Sequence, residues 1–597
     1  MTDKIKGTED EFESFQKTKQ EKPVIRQVDY DDLLISAGEF GCYQLILFFS
    51  TFPFYLYGVF VYLSQLFMTE ASSSHWCWIP ELGNLTDIER RALAIPPDAE
   101  NRYGHSRCEA YVANWTEVLA TGVKPNASWP TMPCQYGWEF NKSEIPYPTI
   151  TSDMGWVCDK SSYQATAQAF YFFGSVLGCL PIGWIADKYG RVPAAVLSNL
   201  IACFGGVLSV FVTDFTQFVI CRFIMGIAGE RCMLIMYLLV IEYVAPKYRT
   251  LISNLSFGLF FALTAVTMPW ISLACGNWRI FGLVTSIPMA LAVFAPLIIP
   301  ESPRWLLSRG RTDEAIDKVL KIAQVNKKTV PESLIEEFKL SQLNKEQEGD
   351  KSLIELIRIP KLRKMLCCMC FLYMCCTLTF DALVRSIGKL EFNYFISFSI
   401  MSSTELPSLI LVALLLDWSG RRLYVFVSMI MICIFAIMST LVGGGLSSLI
   451  CVLIARFFSN MTYAVGELWS PEIMPTAARA SGSSFVNICG YIAMIFAPYV
   501  VYLENYVQWL PFVLVGIAGG CGAMLSLTLP ETANRKLPQT FADAEEMLTN
   551  DRLNIPCLKN RKEDKSILLF DLYKKKSLIH SKLYLVLTLY FISLFWY

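Results

Sequence analysis

Three acidic residues lie within long apolar stretches of the sequence, at Asp381, Glu405 and Glu467. If such a stretch forms a membrane helix, a charge at its centre costs at least ~2.5–3.5 kcal/mol on insertion scales, so it faces a cavity or a partner. An acid that faces a cavity can bind an ammonium group or another organic cation. An acid that faces a base holds two helices together instead, and each residue has to be weighed between these two interpretations.

Glu405 is the best candidate for ligand binding. It precedes Asp417, at the edge of the same apolar stretch, by twelve residues, and that separation corresponds to about 18 Å of helix. Glu405 therefore falls close to the middle of a hydrocarbon core of about 30 Å. The alternative is an ion pair between Glu405 and an arginine of a neighbouring helix.

Asp381 and Glu467 have alternatives of their own. Asp381 has Arg385 four residues later, where the two side chains can pair along one helix face. Glu467 lies five residues inward of Glu472. We interpret Glu467 as a candidate for substrate binding or for proton coupling.

Other polar and aromatic side chains also belong to these stretches. Glu230 and Arg231 lie midway along one of them, and we interpret the two as parts of an interior network rather than as ligand contacts. The rings of Tyr57, Tyr463 and Trp469 can pack on an organic cation, an interaction worth about 0.5–2 kcal/mol each. Packing against other helices is the more common role of an aromatic residue in a membrane helix.

Charged residues and glycines recur in the sequence at one offset of 230 positions, including Glu301 and its repeat Glu531. An acid and an arginine at the ends of neighbouring helices can pair and hold that end shut, and they can part when two halves rock; a tight turn with solvated ends is the alternative. Gly183 is predicted to let another helix approach closely. The residues predicted to gate the molecule are Asp187, Gly190, Arg191, Glu242, Arg249, Glu301, Arg304, Asp417, Gly420, Arg421, Glu472 and Arg479.

The composition indicates the scaffold that has to position these residues. The chain has 597 residues, of which 54% are hydrophobic and 17% are charged, whereas about 25% are charged in typical soluble proteins. A balance of 51 basic and 52 acidic residues, with only three His, argues against a nucleic-acid-binding protein and a His-rich metal site. No nucleotide-binding loop, metal-ligand spacing or nucleophile set is visible. The sequence therefore predicts no enzyme, no cofactor, and no catalytic or metal-binding residue.

Twelve apolar stretches have the ~20 residues that a helix needs to cross a membrane. They form two sets of six around the polar stretch 301–363, and duplicated halves of this kind are found in secondary transporters. The fold class predicted is an all-α membrane protein with 12 transmembrane helices in two pseudo-twofold halves. The predicted spans are 43–66, 163–186, 193–212, 216–241, 251–275, 280–299, 366–386, 392–416, 423–442, 448–470, 482–503 and 509–529.

Basic residues in alternate short loops set the expected orientation, because cytoplasmic loops carry an excess of Lys and Arg. Both termini and the linker between the halves are expected in the cytoplasm, and the long loop 67–162 outside. The predicted domains are an N-terminal segment 1–42, a six-helix half 43–299 that includes this loop, a linker 300–365, a second half 366–530 and a tail 531–597.

The long loop carries two further signals of an outside location. Four glycosylation sequons begin at Asn84, Asn114, Asn126 and Asn141. Four cysteines, Cys77, Cys108, Cys134 and Cys158, are disulfide candidates in an oxidising compartment, and three connectivities stay open.

Several motifs resemble those of one known family. The stretch from Gly183 to Arg191 resembles the loop motif of the major facilitator superfamily, and Pro300 to Leu306 resembles the end of the sixth helix in its sugar porters and organic-ion transporters. Three further motifs narrow the resemblance to the organic cation/anion/carnitine transporter family, and most of all to its organic cation/carnitine carriers and insect carcinine or β-alanine carriers. They are Gly38–Gln44, Trp156–Asp159, and Leu529–Thr532 followed by Leu537–Thr540.

The resemblance implies a cavity between the halves that opens to each side in turn. Glu405 matches an acid that is associated with substrate recognition in the family's cation transporters, and Glu467 is similar to a substrate-contact position. Cation transporters carry an acid, and anion transporters a base, where this chain has Tyr491. The candidates for substrate binding are Glu405, Asp381, Glu467, Tyr491, Tyr463 and Tyr57.

These observations predict a plasma-membrane secondary transporter of small organic cations or zwitterionic amines, such as carnitine, carcinine, β-alanine or biogenic amines, that works by alternating access. The expected partners are that substrate, the lipid bilayer and a coupling ion, Na⁺ or H⁺, with no nucleic acid. The alternatives are an organic anion transporter and a sugar-porter-like carrier.

Overall fold

The computed structural model describes residues 28–549, with gaps at 71, 73, 99–103, 124, 127, 344–352, 390–392, 443–444, 534 and 536. The parts of the predicted N-terminal segment and tail at 1–27 and 550–597 lie outside the described residues. Within the described residues, eleven helices are long and apolar enough to cross a membrane, and a shorter apolar helix follows them. We number these twelve helices as spans 1 to 12. They are Cys42–Thr69, Cys158–Tyr189, Arg191–Leu208, Phe215–Glu242, Gly258–Cys275, Trp278–Ile298, Pro360–Gly388, Tyr394–Ser419, Arg421–Leu441, Gly445–Ile473, Arg479–Asn505 and Leu510–Ser526.

The described part of the chain is predominantly helical, which confirms that aspect of the predicted fold class. Spans 1–6 and spans 7–12 pack in matching ways: span 3 packs against spans 4 and 6, and span 9 packs against spans 10 and 12. Spans 2 and 11, and spans 5 and 8, meet across the boundary between these two sets. We call the sets the first half and the second half.

Glycines determine how closely the helices of the first half approach one another. The close approach predicted at Gly183 is wrong, since no described residue of another helix has an atom within 4 Å of the position a Cβ would take there. Spans 2 and 4 instead touch at Gly174 and Gly178, where a Cβ would overlap the backbone of Phe223 and Ile227. The glycines of span 2 that permit close packing are therefore Gly174 and Gly178, on the face that meets span 4.

Two spans are interrupted near their middles, at predicted mid-membrane acids. Span 4 consists of the helices Phe215–Ala228 and Arg231–Glu242, and Glu230 lies between them. Span 8 consists of Tyr394–Ser403 and Glu405–Ser419. Backbone groups freed at such interruptions are tolerated at membrane depth only inside protein or beside a water-filled cavity. The interruptions therefore place both acids at helix ends in the middle of the bundle.

The loop between spans 1 and 2 contains the β-structure of the described chain. Strands β1 (His75–Cys77), β2 (Glu109–Tyr111), β3 (Thr131–Pro133) and β4 (Trp138–Phe140) form two antiparallel pairs, β1 with β4 and β2 with β3. The sequence makes no prediction of these strands, because three-residue strands are too short to show an alternating pattern. The short helices of this loop are Asp87–Ala94, Trp115–Thr121 and Ile150–Met154.

Two disulfides hold the loop together. They join Cys77 to Cys134 and Cys108 to Cys158, which selects one of the three connectivities that the sequence leaves open. Asn84, Asn114 and Asn126 are exposed and Asn141 is half-buried. Their glycosylation stays a prediction.

Short amphipathic helices lie at the opposite end of the bundle. The segment between spans 6 and 7 forms Pro303–Ser308, Thr312–Val325, Glu332–Leu343 and Leu353–Arg358, and the helix Phe541–Thr549 follows span 12. Helix Tyr30–Gly38 precedes span 1 and packs against Thr312–Val325. We call this end of the bundle the linker side and the end with the disulfide-bonded loop the loop side.

Candidate functional site

A central cavity lies between the two halves and is lined by residues of spans 4, 7, 8 and 10. It encloses about 590 Å³, counting the part that is open to solvent. Its walls are mainly apolar, and a small number of polar groups converge on it, which is the usual form of a small-molecule site. The polar lining residues are Tyr237, Glu405, Asn460, Tyr463 and Glu467.

Glu467 is the acid of this cavity that has no direct partner. Among the residues that the structure describes, none forms a hydrogen bond or an ion pair with its carboxylate, and Arg231 of span 4 acts on it only through space. Asn460 borders the same cavity with its side chain 2% exposed. Its Nδ2 donates to Thr404, 3.3 Å away, and its Oδ1 has no hydrogen-bond partner. Two acceptor groups are therefore available at one wall of the cavity.

Glu405 borders the cavity but is already paired. Its carboxylate forms an ion pair with Arg456 of span 10, and both side chains are buried. Arg456 also donates through Nη1 to the carbonyl of Phe380, 3.0 Å away, and its guanidinium lies 3.8 Å from the centre of the Phe380 ring. This geometry is the alternative considered for Glu405, an ion pair with an arginine of a neighbouring helix.

Asp381 lies in a polar layer on the loop side of the cavity. It accepts from Arg385 Nε and Nη2 at 2.7 and 2.9 Å, as the spacing of four residues allows. The hydroxyl of Tyr62 in span 1 donates to it at 2.6 Å, so the layer joins the two halves. We call Tyr62, Asp381 and Arg385 the Asp381 layer. Asp381 does not line the central cavity, and its role in substrate binding stays a prediction.

Glu230 and Arg231 belong to an interior network, as the sequence suggests. Tyr491 of span 11 donates to Glu230 at 3.2 Å, which makes a second link between the halves. Arg231 donates to Cys179 Sγ at 2.8 Å, and its guanidinium lies 5.6 Å from the centre of the Tyr491 ring. Tyr491, the neutral residue that the sequence analysis singled out, therefore interacts with both Glu230 and Arg231.

The aromatic candidates differ in their surroundings. Tyr463 lines the cavity and stacks on Phe380 with 4.6 Å between ring centres. Tyr57 is buried against Phe54 and is not among the residues that line the cavity. Trp469 is fully buried and donates to the carbonyl of Pro530. The ring of Tyr463 is thus the one placed to meet a ligand.

On the linker side, the repeated charges of the first half form one cluster. Arg191 pairs with Asp187 at 2.6 Å and with Glu242 at 3.5 Å. The Glu301 carboxylate accepts from the backbone N–H groups of Arg191 and Val192 at 2.8 and 3.1 Å. An acid that accepts backbone N–H groups at the start of span 3 is favoured by the helix dipole as well.

The second half repeats this cluster. Arg421 pairs with Asp417 at 3.3 Å and with Glu472 at 3.1 Å. Glu531 accepts from the backbone of Arg421 and Arg422 at 2.9 and 3.0 Å. The sequence shows Glu531 as the repeat of Glu301 but predicts no role for it. The offset of 230 positions could have indicated that Glu531 occupies the same place in the second half as Glu301 in the first.

Glycine is required at the turn in both clusters. Gly190 and Gly420 have φ angles of +118° and +79°, which favour glycine. A Cβ at either position would overlap the carboxylate of Glu301 or Glu531. The repeated glycine therefore permits the contact between that carboxylate and the helix start.

The remaining predicted gating arginines have other partners. Arg249 and Arg304 both pair with Asp31 of the N-terminal helix, which sequence reasoning missed because nothing in the pattern links it to them. Burial raises the pKa of the neighbouring Tyr30 hydroxyl, which donates to the carbonyl of Glu242. In the second half, the guanidinium of Arg479 donates to backbone carbonyls, among them that of Met474.

The two halves are joined by hydrogen bonds in the middle of the bundle and on the loop side. Besides the Asp381 layer, Tyr394 donates to the carbonyl of Leu66 at 3.4 Å, and Tyr499 donates to Thr166 at 3.2 Å. Within the described residues, the charge clusters on the linker side bond only inside their own half. The Asp381 layer therefore lies between the central cavity and the loop side, and the lining of the cavity extends towards the linker side.

Comparison with known proteins identifies the family. A model of the Major Facilitator Superfamily matches residues 129–498. The chain is 28% identical over 575 residues to the carcinine transporter of Drosophila melanogaster. That match covers 92% of this chain and 85% of the transporter. It is also 28% identical to the β-alanine transporter of that organism (87% of this chain and 89% of that protein) and to its organic cation transporter protein (86% and 94%).

A solved structure has the same fold. The inward open conformation of the xylose transporter XylE from E. coli matches with a TM-score of 0.54 at 15% identity, and the match covers 84% of this chain and 99% of that chain. The family resemblance predicted from the sequence motifs is confirmed, and the family model covers more than half of the chain. This chain is a multi-pass membrane protein, and it belongs to the Major Facilitator Superfamily.

Proposed function

We propose that the chain is a plasma-membrane secondary transporter that carries small organic cations or zwitterionic amines by alternating access. The observation that carries the proposal is the Glu467 carboxylate, which borders the central cavity without a direct partner among the described residues. The relatives named for carcinine, β-alanine and organic cations support the substrate class.

A positively charged amine fits the chemistry of the cavity. A carboxylate that lies inside the bundle without a counter-ion is costly, so the half-buried Glu467 favours a ligand that supplies positive charge. Asn460 Oδ1, which also lacks a partner, can accept a hydrogen bond from an ammonium group. Arg456 already neutralises Glu405, which leaves Glu467 as the acid for the ligand.

The disulfides support the proposed orientation. Disulfides form and persist in oxidising surroundings such as the cell exterior, and the two disulfides of the described residues lie on the loop side. The linker side then faces the cytosol, and the Asp381 layer separates the central cavity from the exterior in this arrangement. The opposite state requires the Tyr62–Asp381 and Tyr491–Glu230 contacts to separate.

An organic anion transporter is the second candidate, and Arg231 is the observation that favours it. The hydrogen bond described for the Arg231 side chain goes to a thiol sulfur, which is a weak acceptor. Its guanidinium therefore has donors to spare near the cavity. Substrates of both signs have to be compared for this reason.

The test is uptake into oocytes that express the full chain, with labelled tetraethylammonium, β-alanine, p-aminohippurate and xylose. We expect saturable accumulation of the cation or the zwitterion, and none of the anion or the sugar. Accumulation of p-aminohippurate or xylose alone would overturn the proposal, and saturable binding without accumulation would indicate a receptor instead.

Glu467→Gln tests the residue on which the proposal depends. Removing one partner of a buried charge pair typically costs ~2–5 kcal/mol of binding, so we expect uptake of the cationic amine to fall at least about 30-fold. The matched control is Glu337→Gln, on the exposed face of a linker-side helix. Equal uptake by the Glu467→Gln variant and the control, at equal surface expression, would remove Glu467 from the site.

Ion replacement in the same oocytes identifies the driving force. Uptake is measured at fixed voltage while pH is varied, and again with Na⁺ replaced. Proton coupling through Glu467 predicts a pH dependence that disappears in Glu467→Gln, and Na⁺ coupling predicts loss of uptake without Na⁺ at every pH.

A further inference from the structure

A second pocket lies on the loop side of the Asp381 layer. Residues of spans 1, 2, 7 and 11 line it, and it encloses about 610 Å³, counting the part that is open to solvent. Arg385 belongs both to its lining and to the layer, whereas Phe380, five residues earlier in span 7, lines the central cavity. The Asp381 layer therefore separates two cavities, and we call the outer one the loop-side pocket.

Two buried glutamines border this pocket, and each has one amide atom without a partner. Gln65 is 2% exposed, and its Nε2 donates to the carbonyl of Gln164 at 3.2 Å. Gln168 is 1% exposed, and its Oε1 accepts from Arg222 at 3.3 Å. Gln65 Oε1 and Gln168 Nε2 have no hydrogen-bond partner.

The partners fix the orientation of both amides. A backbone carbonyl can only accept, so the NH₂ group of Gln65 must face Gln164 and its oxygen must point elsewhere. A guanidinium can only donate, so the oxygen of Gln168 must face Arg222 and its NH₂ group must point elsewhere. The two glutamines thus offer one free acceptor and one free donor, and leaving such groups unpaired when buried costs free energy.

Charged groups of both signs border the same pocket. Arg385 uses Nε and Nη2 for Asp381, and no described residue accepts from its Nη1. The acid Glu70 is also among the residues that line the pocket. Arg385 and Gln168 can donate to a carboxylate, and Gln65 and Glu70 can accept from an ammonium group.

We propose that the loop-side pocket is a second binding site for a small zwitterion, whose carboxylate binds Arg385 and Gln168 and whose ammonium group binds Gln65 and Glu70. The proposal rests on the proposed function for the substrate class, and it adds a site for that class outside the central cavity. The site is reached from the loop side while the Asp381 layer is closed, so the ligand binds there before the two halves move.

The test uses Ser161→Cys, because Ser161 lines this pocket. A thiol reagent that does not cross membranes, such as sulfonatoethyl methanethiosulfonate, is applied from outside to cells that express the full chain. β-Alanine, propionate and ethylamine are compared as protectants, since the last two each lack one charged end. Loss of one charge-assisted contact typically weakens binding about tenfold or more. We therefore expect β-alanine to protect at concentrations at least about tenfold lower than either of the others.

Controls separate the pocket from other effects. Thr121→Cys, at an exposed position of the long loop, should be labelled without protection, and the unsubstituted chain gives the background of its own cysteines. Gln65→Met and Gln168→Met keep the side-chain length and remove the free amide atoms, and each should raise the protecting concentration of β-alanine about tenfold. If these variants fail to reach the surface, the three protectants on Ser161→Cys alone still decide the question.

The outcomes distinguish this proposal from the proposed function. No protection by β-alanine, or equal protection by all three compounds, overturns the loop-side site whatever the uptake results are. Protection by β-alanine in a chain that accumulates no substrate supports the site and contradicts the transporter. In the double variant Ser161→Cys/Glu467→Gln, protection should persist although uptake is lost, and loss of both would mean that the two cavities act as a single site.

Discussion

The acids of spans 7, 8 and 10 all lie inside the bundle, but they differ in burial and in their partners, since Asp381 and Glu405 are buried and Glu467 is half-buried. Glu405 is neutralised by Arg456, Asp381 by Arg385, and Glu467 has no direct partner in the described structure. Removing one partner of a buried ion pair is expensive because the other charge is left uncompensated. The first two acids therefore contribute mainly to holding helices together in this state, and the third is the one suited to a ligand.

A double-variant cycle tests the structural role of Glu405. We expect Glu405→Gln to cost ~3–5 kcal/mol of folding free energy, because it leaves Arg456 buried without a counter-ion. Arg456→Met should destabilise as well, and the double variant should lose less than the sum of the two. The measurement is the thermal unfolding of the purified chain in detergent. Strictly additive losses would show that the two residues are not coupled.

At the scale of single residues, the sequence could predict the acids but not their partners. A charge inside an apolar stretch is visible in any reading of the sequence, and so is its depth along the helix. Which arginine faces it depends on the rotation and register of two helices that are far apart in the sequence. Arg385 could be foreseen as the partner of Asp381 because both lie on one helix, whereas Arg456 could not be foreseen for Glu405.

At the scale of elements, the turns between spans 2 and 3 and between spans 8 and 9 have the same construction. Each has a glycine with a positive φ angle, an arginine that begins the next helix, and a distant glutamate that accepts the N–H groups of that helix start. The glycine, the arginine and the glutamate of one turn depend on one another, so the whole set is repeated at one offset in the sequence.

Gly190→Ala and Gly183→Ala make a matched pair for this turn. A residue with a Cβ in a strained backbone conformation typically costs ~1–3 kcal/mol, and at Gly190 the Cβ would also overlap the Glu301 carboxylate. Gly183 lies within a helix with open space around it, so alanine there should be neutral or stabilise by up to ~1 kcal/mol. Thermal unfolding of both variants is the measurement. Equal effects would show that the turn geometry is not what requires Gly190.

Helix positions agree closely with the predicted spans where a helix is apolar throughout, and less closely where polar ends extend the helix. The eleventh span was predicted at 482–503 and runs from Arg479 to Asn505, because its first and last turns are polar. The fifth was predicted to begin at 251, but the helix Pro246–Leu255 and a π-helical turn, Ser256–Phe261, occupy that region. Hydropathy reports the depth of a segment and says little about how its hydrogen bonding changes along it.

At the scale of the whole molecule, alternating access requires the two halves to move as bodies. Spans 5 and 8 meet across their boundary near Gly258, where a Cβ would lie 3.5 Å from the Cβ of Leu409. That separation is within the range seen in disulfides. A covalent bond at this point would hold the halves in one arrangement.

We therefore expect the double variant Gly258→Cys/Leu409→Cys to lose uptake on oxidation and to recover it in dithiothreitol. Gly522→Cys is the matched control, because its Cβ would lie 3.3 Å from that of Cys375 within the second half, so a bond there should leave uptake unchanged. The measurement is amine uptake before and after reduction. Full uptake by the oxidised Gly258→Cys/Leu409→Cys chain, with the bond confirmed by mass spectrometry, would contradict rigid-body motion at this boundary.

The disulfide-bonded loop has covalent ties to only one of these bodies. Cys158 begins span 2, and Asp153 of the loop bonds to Trp278 and Arg279 at the start of span 6. We therefore expect the loop to move with the first half during transport. A fluorescent dye at Thr121 and a second at exposed Tyr506, between spans 11 and 12, would report each turnover as a change in energy transfer, one molecule at a time.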